Sequence, residues 1–247
     1  ALVMGNYNAV LPLPLRKNML FQNIAFPRFL IKTNIYQSKE FNKGIIPEFM
    51  KRIPFHFRNI SIKTSNESFV NPDFKILKNT SYKLDLISSY KKIKEAYSDD
   101  FKRKIEIVNS GKTSYNIGIL PNGLVLLGEV TKNLHKKQAD NLRRLSAVSL
   151  RRKLGEIYGA FNSKNRLFAA ALFISSHYKT YLVYAVQTKE AKRMNVMHGL
   201  IDHYIKTHSE KALTLDLSGI SFEKEDFFTG LGASGYPIYT MKKKRFL

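Results

Sequence analysis

The 247-residue sequence contains no cysteine. That absence excludes a disulfide scaffold, a thiolate zinc site and a cysteine nucleophile. Acidic residues are scarce: 19 Asp and Glu stand against 41 Lys and Arg, a formal net charge of +22. Long apolar stretches are missing too. The longest, Leu167 to Ile174, is eight residues, whereas a membrane-spanning helix needs about 20. No basic region leads into an apolar stretch and a small-residue cleavage site, so no signal peptide is expected and a cytoplasmic location is. The sequence opens at Ala1 in strand-like residues, without an initiator Met. The expectation is that a natural amino-terminal portion precedes it.

What remains is globular. Hydrophobic residues make up 44% and aromatics 12%, which excludes disordered, collagen-like and mini-protein classes. The length suits one large domain or two modest ones. A positive surplus of this size draws polyanions: nucleic acid, an anionic membrane or phosphate-rich cofactors. Of these, a membrane surface is the least expected, because no apolar anchor accompanies the densest basic stretch.

The amino-terminal third reads as strands and loops, with one helix over Glu40 to Arg52 from Phe41, Ile45, Phe49 and Ile53 at steps of four. Strands are expected at His56–Lys63 and Tyr82–Leu86. Ser88 or Ser89 caps an expected helix to about Asn109, with Gly111 as its stop. A short helix over Pro121–Val130 and a longer one over Leu134–Leu154, with Leu142, Leu145 and Val148 on one face, come next. Three strands joined by hairpin turns follow at Glu156–Phe161, Leu167–Ser175 and Thr180–Val186. A helix over Lys189–Thr207, a strand at Leu213–Leu217, a helix at Glu223–Leu231 and a strand at Tyr236–Met241 complete the chain. The order is α+β, with a crossover helix after the meander.

Charge is concentrated between Lys132 and Lys153, where eight Lys or Arg accompany one acid, Asp140. Lys137, Arg144 and Arg151 recur every seven positions and form one stripe on a helix, with Lys136 and Arg143 on a neighbouring face. Arg152 adjoins them. Guanidinium groups suit phosphate, although a solvated helix face has the same pattern. Lys242-Lys243-Lys244-Arg245 reads as a solubilising tail.

The element order and several local motifs resemble the GNAT acyltransferase fold in its FemAB-like form. Tyr97-Ser98-Asp99-Asp100-Phe101-Lys102-Arg103-Lys104-Ile105, Gly155–Asn162, Met197–Asp202, Leu215-Asp216-Leu217-Ser218-Gly219 and Phe227–Ala233 are similar to helices and strands of those proteins. The resemblance is clearest over residues 88–247, as a carboxy-terminal GNAT-like unit. It implies a mixed, mostly antiparallel sheet flanked by helices, in tandem with an incomplete amino-terminal copy over 1–87. It further implies N-acyl transfer to an amine, from acyl-CoA or from aminoacyl-tRNA, without a metal. The sequence leaves the acceptor unidentified. Two departures stand out: Gln187 to Val196 holds no glycine where GNAT proteins have a glycine-bearing pyrophosphate loop, and no long coiled-coil insertion is present.

Under that resemblance the donor is expected at Val186, Gln187, Lys189, Lys192, Arg193 and Asn195, with phosphates near the start of the 189–207 helix. Direct acyl transfer needs a base, an aligned ester and an oxyanion donor. Asp216 is the candidate base, or alternatively the cap of the turn into Ser218-Gly219. Tyr184 is the candidate acid for the leaving group, or core packing. His198 and Asp202 share a helix face as a candidate base and orienter, or form a polar rim. Glu156 is a candidate substrate-side acid, or a surface glutamate at a strand end. The alternative function is a non-catalytic nucleic-acid-binding protein on the same fold, using Lys137, Arg143, Arg144, Arg151 and Arg152, with tRNA as one partner.

Overall fold

The computed structural model describes residues 1–17, 22–38, 46–67, 71, 73–131, 133–220 and 226–245. The chain forms two compact units: Ala1–Ser81 with Tyr236–Leu247, and Tyr82–Gly235. Among the described residues no helix is long and apolar enough to cross a membrane.

The first unit contains β1 (Leu2–Met4), β2 (Ala9–Leu11), β3 (Leu15–Lys17), β4 (Gln22–Ile24), β5 (Tyr36–Gln37), α1 (Ile46–Lys51), β6 (Phe57–Thr64) and most of β7 (Lys75–Asp85). It closes with most of the last strand, β13 (Ser234–Lys244). β1, β2 and β5 form a small antiparallel sheet. A second sheet runs β3–β4–β6–β13–β7, with β4 parallel to β6. Its inner face buries Ile24, Ile60, Ile62 and Met241 with Phe49 and Met50 of α1. The expected helix start at 40–45 lies outside the described residues.

Lys242 to Arg245 is not a tail. Lys242, Lys243 and Lys244 continue β13 opposite Ser61, Ile60 and Asn59. Arg245 then donates its backbone N–H to Arg58 and its guanidinium to the Pro54 carbonyl at 2.7 Å. Ladder partners for the backbone hold this basic run in a sheet despite its charge.

The second unit carries the end of β7, then α2 (Tyr90–Glu95), α3 (Asp99–Ser110), β8 (Ser114–Ile117), α4 (Pro121–Val130) and α5 (Lys136–Arg151). The meander follows as β9 (Gly155–Phe161), β10 (Leu167–Ser176) and β11 (Lys179–Gln187). α6 (Lys189–Arg193), α7 (Val196–His208), β12 (Thr214–Asp216) and α8 (Asp226–Gly230) complete the unit. Its strands pair in the order β7–β12–β11–β10–β9–β8, antiparallel except at β11–β12. One sheet face packs Tyr158, Phe173 and Leu182 against α3 and α7 through Phe101, Ile105, Leu200 and Tyr204. α4 lies on the other face, where its Gly128 stands over the Tyr184 hydroxyl.

Four expectations change. The single helix from Ser88 to Asn109 is two, because the Ser98 side chain accepts from the Phe101 N–H and restarts the helix ahead of Asp99 and Asp100. The helix over 189–207 also breaks, at Asn195, whose φ of 57° is left-handed. β8 adds a fourth strand to the meander by pairing with β9. The 134–154 helix is shorter, and its buried face runs through Ala139, Leu142, Ser146 and Ser149, leaving Val148 exposed. Serine fits there because each hydroxyl bonds a carbonyl of its own helix, Ser146 to Leu142 and Ser149 to Ser146.

Candidate functional site

The site begins where β11 loses one neighbour. β12 pairs with β11 only over Lys179 to Tyr181. Gly219 then lies so close to the Leu182 carbonyl and the Val183 Cα that no side chain fits. On the other side β10 follows β11 to Gln187, and the Thr188 N–H donates to the Phe168 carbonyl at 2.8 Å. Strand alternation therefore turns the Val186 N–H toward β10 and the N–H groups of Ala185 and Gln187 toward the edge beyond β12. The Gln187 Oε1 is buried with no hydrogen-bond partner among the described residues.

A cavity of about 630 Å³ opens beside this strand end. The apolar wall is α4, through Leu126 and Val130, which are 58% and 76% exposed. Lys164 and Arg166 of the β9–β10 turn, with Thr188 and Glu190 at the start of α6, line the remainder. Neither Lys164 nor Arg166 pairs with a carboxylate among the described residues. The turn was legible in the sequence, but its two cations and the α4 wall were not singled out. The signal was there: Lys164 and Arg166 flank an Asn165 held at a φ of 53°.

In place of loop glycines, Thr188 caps α6 by accepting from the Ala191 N–H at 3.1 Å, and left-handed Asn195 makes the turn into α7. Lys189, Lys192 and Arg193 are exposed on α6, whereas Val186 is buried. On α5, Lys137, Arg144 and Arg151 are exposed and Arg152 follows at the C-cap. Arg143 differs: it binds Asp140 at 2.8 Å and Asn122 of α4 at 3.3 Å.

The candidate catalytic groups divide between the two sheet faces. Leu215 points into the core with α7, so Asp216 points the other way, level with Tyr181. Its Oδ1 accepts from both the backbone N–H and the hydroxyl of Ser218, holding the turn into Gly219. The Tyr184 hydroxyl lies under α4 and donates to Asn133 at 3.5 Å. His198 sits across the sheet on α7, between the rings of Phe101 and Phe227 at 5.0 and 4.8 Å. Burial, helped by Lys104, lowers its pKa to about 4.

His198 and Asp202 share a helix face but no hydrogen bond. Asp202 instead accepts from the Tyr90 hydroxyl through both carboxylate oxygens, at 3.0 and 2.9 Å. Burial raises its pKa, and bonds from Tyr90 and Tyr97 oppose that rise. Glu156 bonds the His208 Nε2 at 3.1 Å, which lowers the carboxyl pKa. Among the described residues no three His, Cys, Asp or Glu gather in a group that could hold a metal.

No protein-family model and no curated protein matches this sequence. Solved structures do match in fold. A crystal structure of FemX aligns with a TM-score of 0.61 at 11% identity, over 96% of this chain and 86% of that one. The structure of L-PGS from Bacillus licheniformis aligns at 0.63 and 9% identity, over 99% of this chain and 84% of that one. A GNAT-family acetyltransferase from Colwellia psychrerythraea aligns at 0.53 and 10% identity, over 87% and 78%. The chain has a FemAB-like, GNAT-type acyltransferase fold: mixed α+β, with a mostly antiparallel sheet flanked by helices.

Proposed function

We propose that this protein is an N-acyltransferase, moving an acyl or aminoacyl group from acyl-CoA or aminoacyl-tRNA to an amine by direct attack. The observation that carries the reading is the end of β11 beside the cavity, which has no strand partner beyond Tyr181 on the β12 side among the described residues, in a fold shared with FemX, L-PGS and a GNAT acetyltransferase. The amino-terminal unit is read as the partial copy of a tandem arrangement.

In this reading the N–H groups of Ala185 and Gln187 polarise the acyl carbonyl and hold its oxyanion. Lys164 and Arg166 take the donor's phosphates, and Lys189, Lys192 and Arg193 add positive charge behind them. Glu190, on the cavity wall, accepts the amine proton as the new C–N bond forms and the ester or thioester bond breaks. Asp216 is less suited to that step: Ser218 occupies its Oδ1, and level with Tyr181 it stands about 20 Å of strand from Gln187. Tyr184, three residues before Gln187, remains the nearest candidate acid for the leaving group.

The test is a thermal shift with a panel of acyl-CoA esters and with aminoacyl-tRNA, followed by mass spectrometry of amine acceptors. A donor at about 100 times its Kd adds roughly 2.7 kcal/mol of stability. Lys164→Ala with Arg166→Ala is expected to remove the shift. No shift with either donor class overturns the assignment. The exposed α5 stripe favours a second reading, a non-catalytic nucleic-acid-binding protein. Under it, tRNA binding weakens steeply with salt, amine acylation is absent, and Ala at Arg143, Arg144, Arg151 and Arg152 releases the protein from heparin.

A further inference from the structure

We propose that the outer face of the β3–β4–β6–β13 sheet, in the first unit, binds nucleic acid through its phosphates without reading sequence. This goes beyond the transfer reading, and it names a different surface from the α5 stripe.

The register defines the face. Ile24, Ile60, Ile62 and Met241 point into the core, so their strand neighbours point out. Arg16 of β3 pairs with Asn23 of β4, whose Oδ1 accepts from the backbone N–H and the side chain of Asn59 at 3.1 and 3.0 Å. Asn59 in turn pairs with Lys244 of β13. One row across four strands thus reads Arg16, Asn23, Asn59, Lys244. The next two rows pair Ser61 with Lys242 and Lys63 with Thr240. With strands about 4.8 Å apart and two-residue repeats of about 6.8 Å, the cations span a patch about 14 Å on each side.

Arg16, Lys63, Lys242 and Lys244 are all exposed. No carboxylate among the described residues pairs with any of them. Like charges on neighbouring positions of one sheet face repel, so the arrangement calls for an anion from outside. Acids are scarce throughout this unit, which holds 16 Lys and Arg against 4 Asp and Glu. The positions between the cations are Asn, Ser and Thr; of these Asn59 and Ser61 are accessible, and such side chains bond phosphate and sugar oxygens. Among these positions of β3, β4, β6 and β13 no apolar side chain stands, and surface binding to a bilayer needs an apolar face to insert. This polar, cationic face of β3, β4, β6 and β13 therefore fits a nucleic-acid backbone better than a lipid surface.

The experiment is fluorescence anisotropy of the full chain with a short labelled RNA in two unrelated sequences, against vesicles of phosphatidylcholine and phosphatidylglycerol. Both RNAs are expected to bind alike. Combining Lys63→Gln, Lys242→Gln and Lys244→Gln should weaken binding about tenfold and reduce the log–log salt slope by about 2. Lys137→Gln with Arg144→Gln and Arg151→Gln, on α5, tests the surface of the second reading, and the loss there should be smaller than in the sheet variant. Melting temperatures of both variants are compared with the parent, so that unfolding is not read as lost binding. Absent RNA binding, unchanged affinity in the sheet variant, loss confined to the α5 variant, or capture of vesicles in place of RNA would each overturn the proposal. The acyl-donor thermal shift is measured separately, so failure of either reading is visible without the other.

Discussion

Burial keeps the imidazole of His198 neutral, and this has a consequence in acid. Its folded pKa is lowered from 6.5 to about 4, so between those values the unfolded chain binds the proton more readily. The stability it represents is present above pH 6.5 and is lost as pH falls toward 4. His203, also lowered by burial, acts in the same direction, and Asp202, raised by burial, acts against it. His198→Phe should therefore flatten the fall of melting temperature across that window. A steeper fall, or none of the change, would place the acid sensitivity elsewhere. Such behaviour was not legible in Met197-His198-Gly199, where steps of four indicate only a shared helix face. The rings of Phe101 and Phe227 that strip water from His198 come from two other helices. Asp216 was legible as a turn cap, because Asp two residues before Ser is a local pattern that needs no tertiary partner.

Helix boundaries divide in the same way. Ser98 followed by Asp99 and Asp100 is an N-terminal signature, a capping hydroxyl with carboxylates in the first turn. A continuous apolar spacing through Ile93, Tyr97, Phe101 and Ile105 masked it. At Asn195 no such signature exists. Its side chain makes no capping bond to α7, and its contribution is to accept a left-handed backbone that costs most residues about 1–2 kcal/mol. Asn195→Gly should be neutral or slightly stabilising, whereas Asn195→Val should cost about 1–2 kcal/mol in urea unfolding. Equal effects from both would show that the turn is not set by backbone conformation. β8 was missed because only Tyr115 of its four residues is partly buried. A strand with so little apolar alternation is defined by its neighbour β9.

Across the whole molecule, 41 bases against 19 acids produce self-repulsion that salt screens. The exposed ion pairs, such as Asp100 with Arg103 and Lys104, contribute little in return. Melting temperature should therefore rise between low and moderate salt, by scanning fluorimetry; a fall would mean that ion pairs outweigh repulsion. Composition and spacing alone determined the α+β order, the absence of thiol chemistry, the meander and its turns, and the positive surplus, because each depends on residue type and local period. Only the tertiary structure decided where the scarce acids and plentiful cations meet. The edge of β11 left without a strand partner among the described residues, the cavity that joins Leu126 and Val130 to Lys164 and Arg166, and the outward row from Arg16 to Lys244 all unite residues distant in sequence. Strand register and helix packing bring such residues together, and neither leaves a mark in the local pattern.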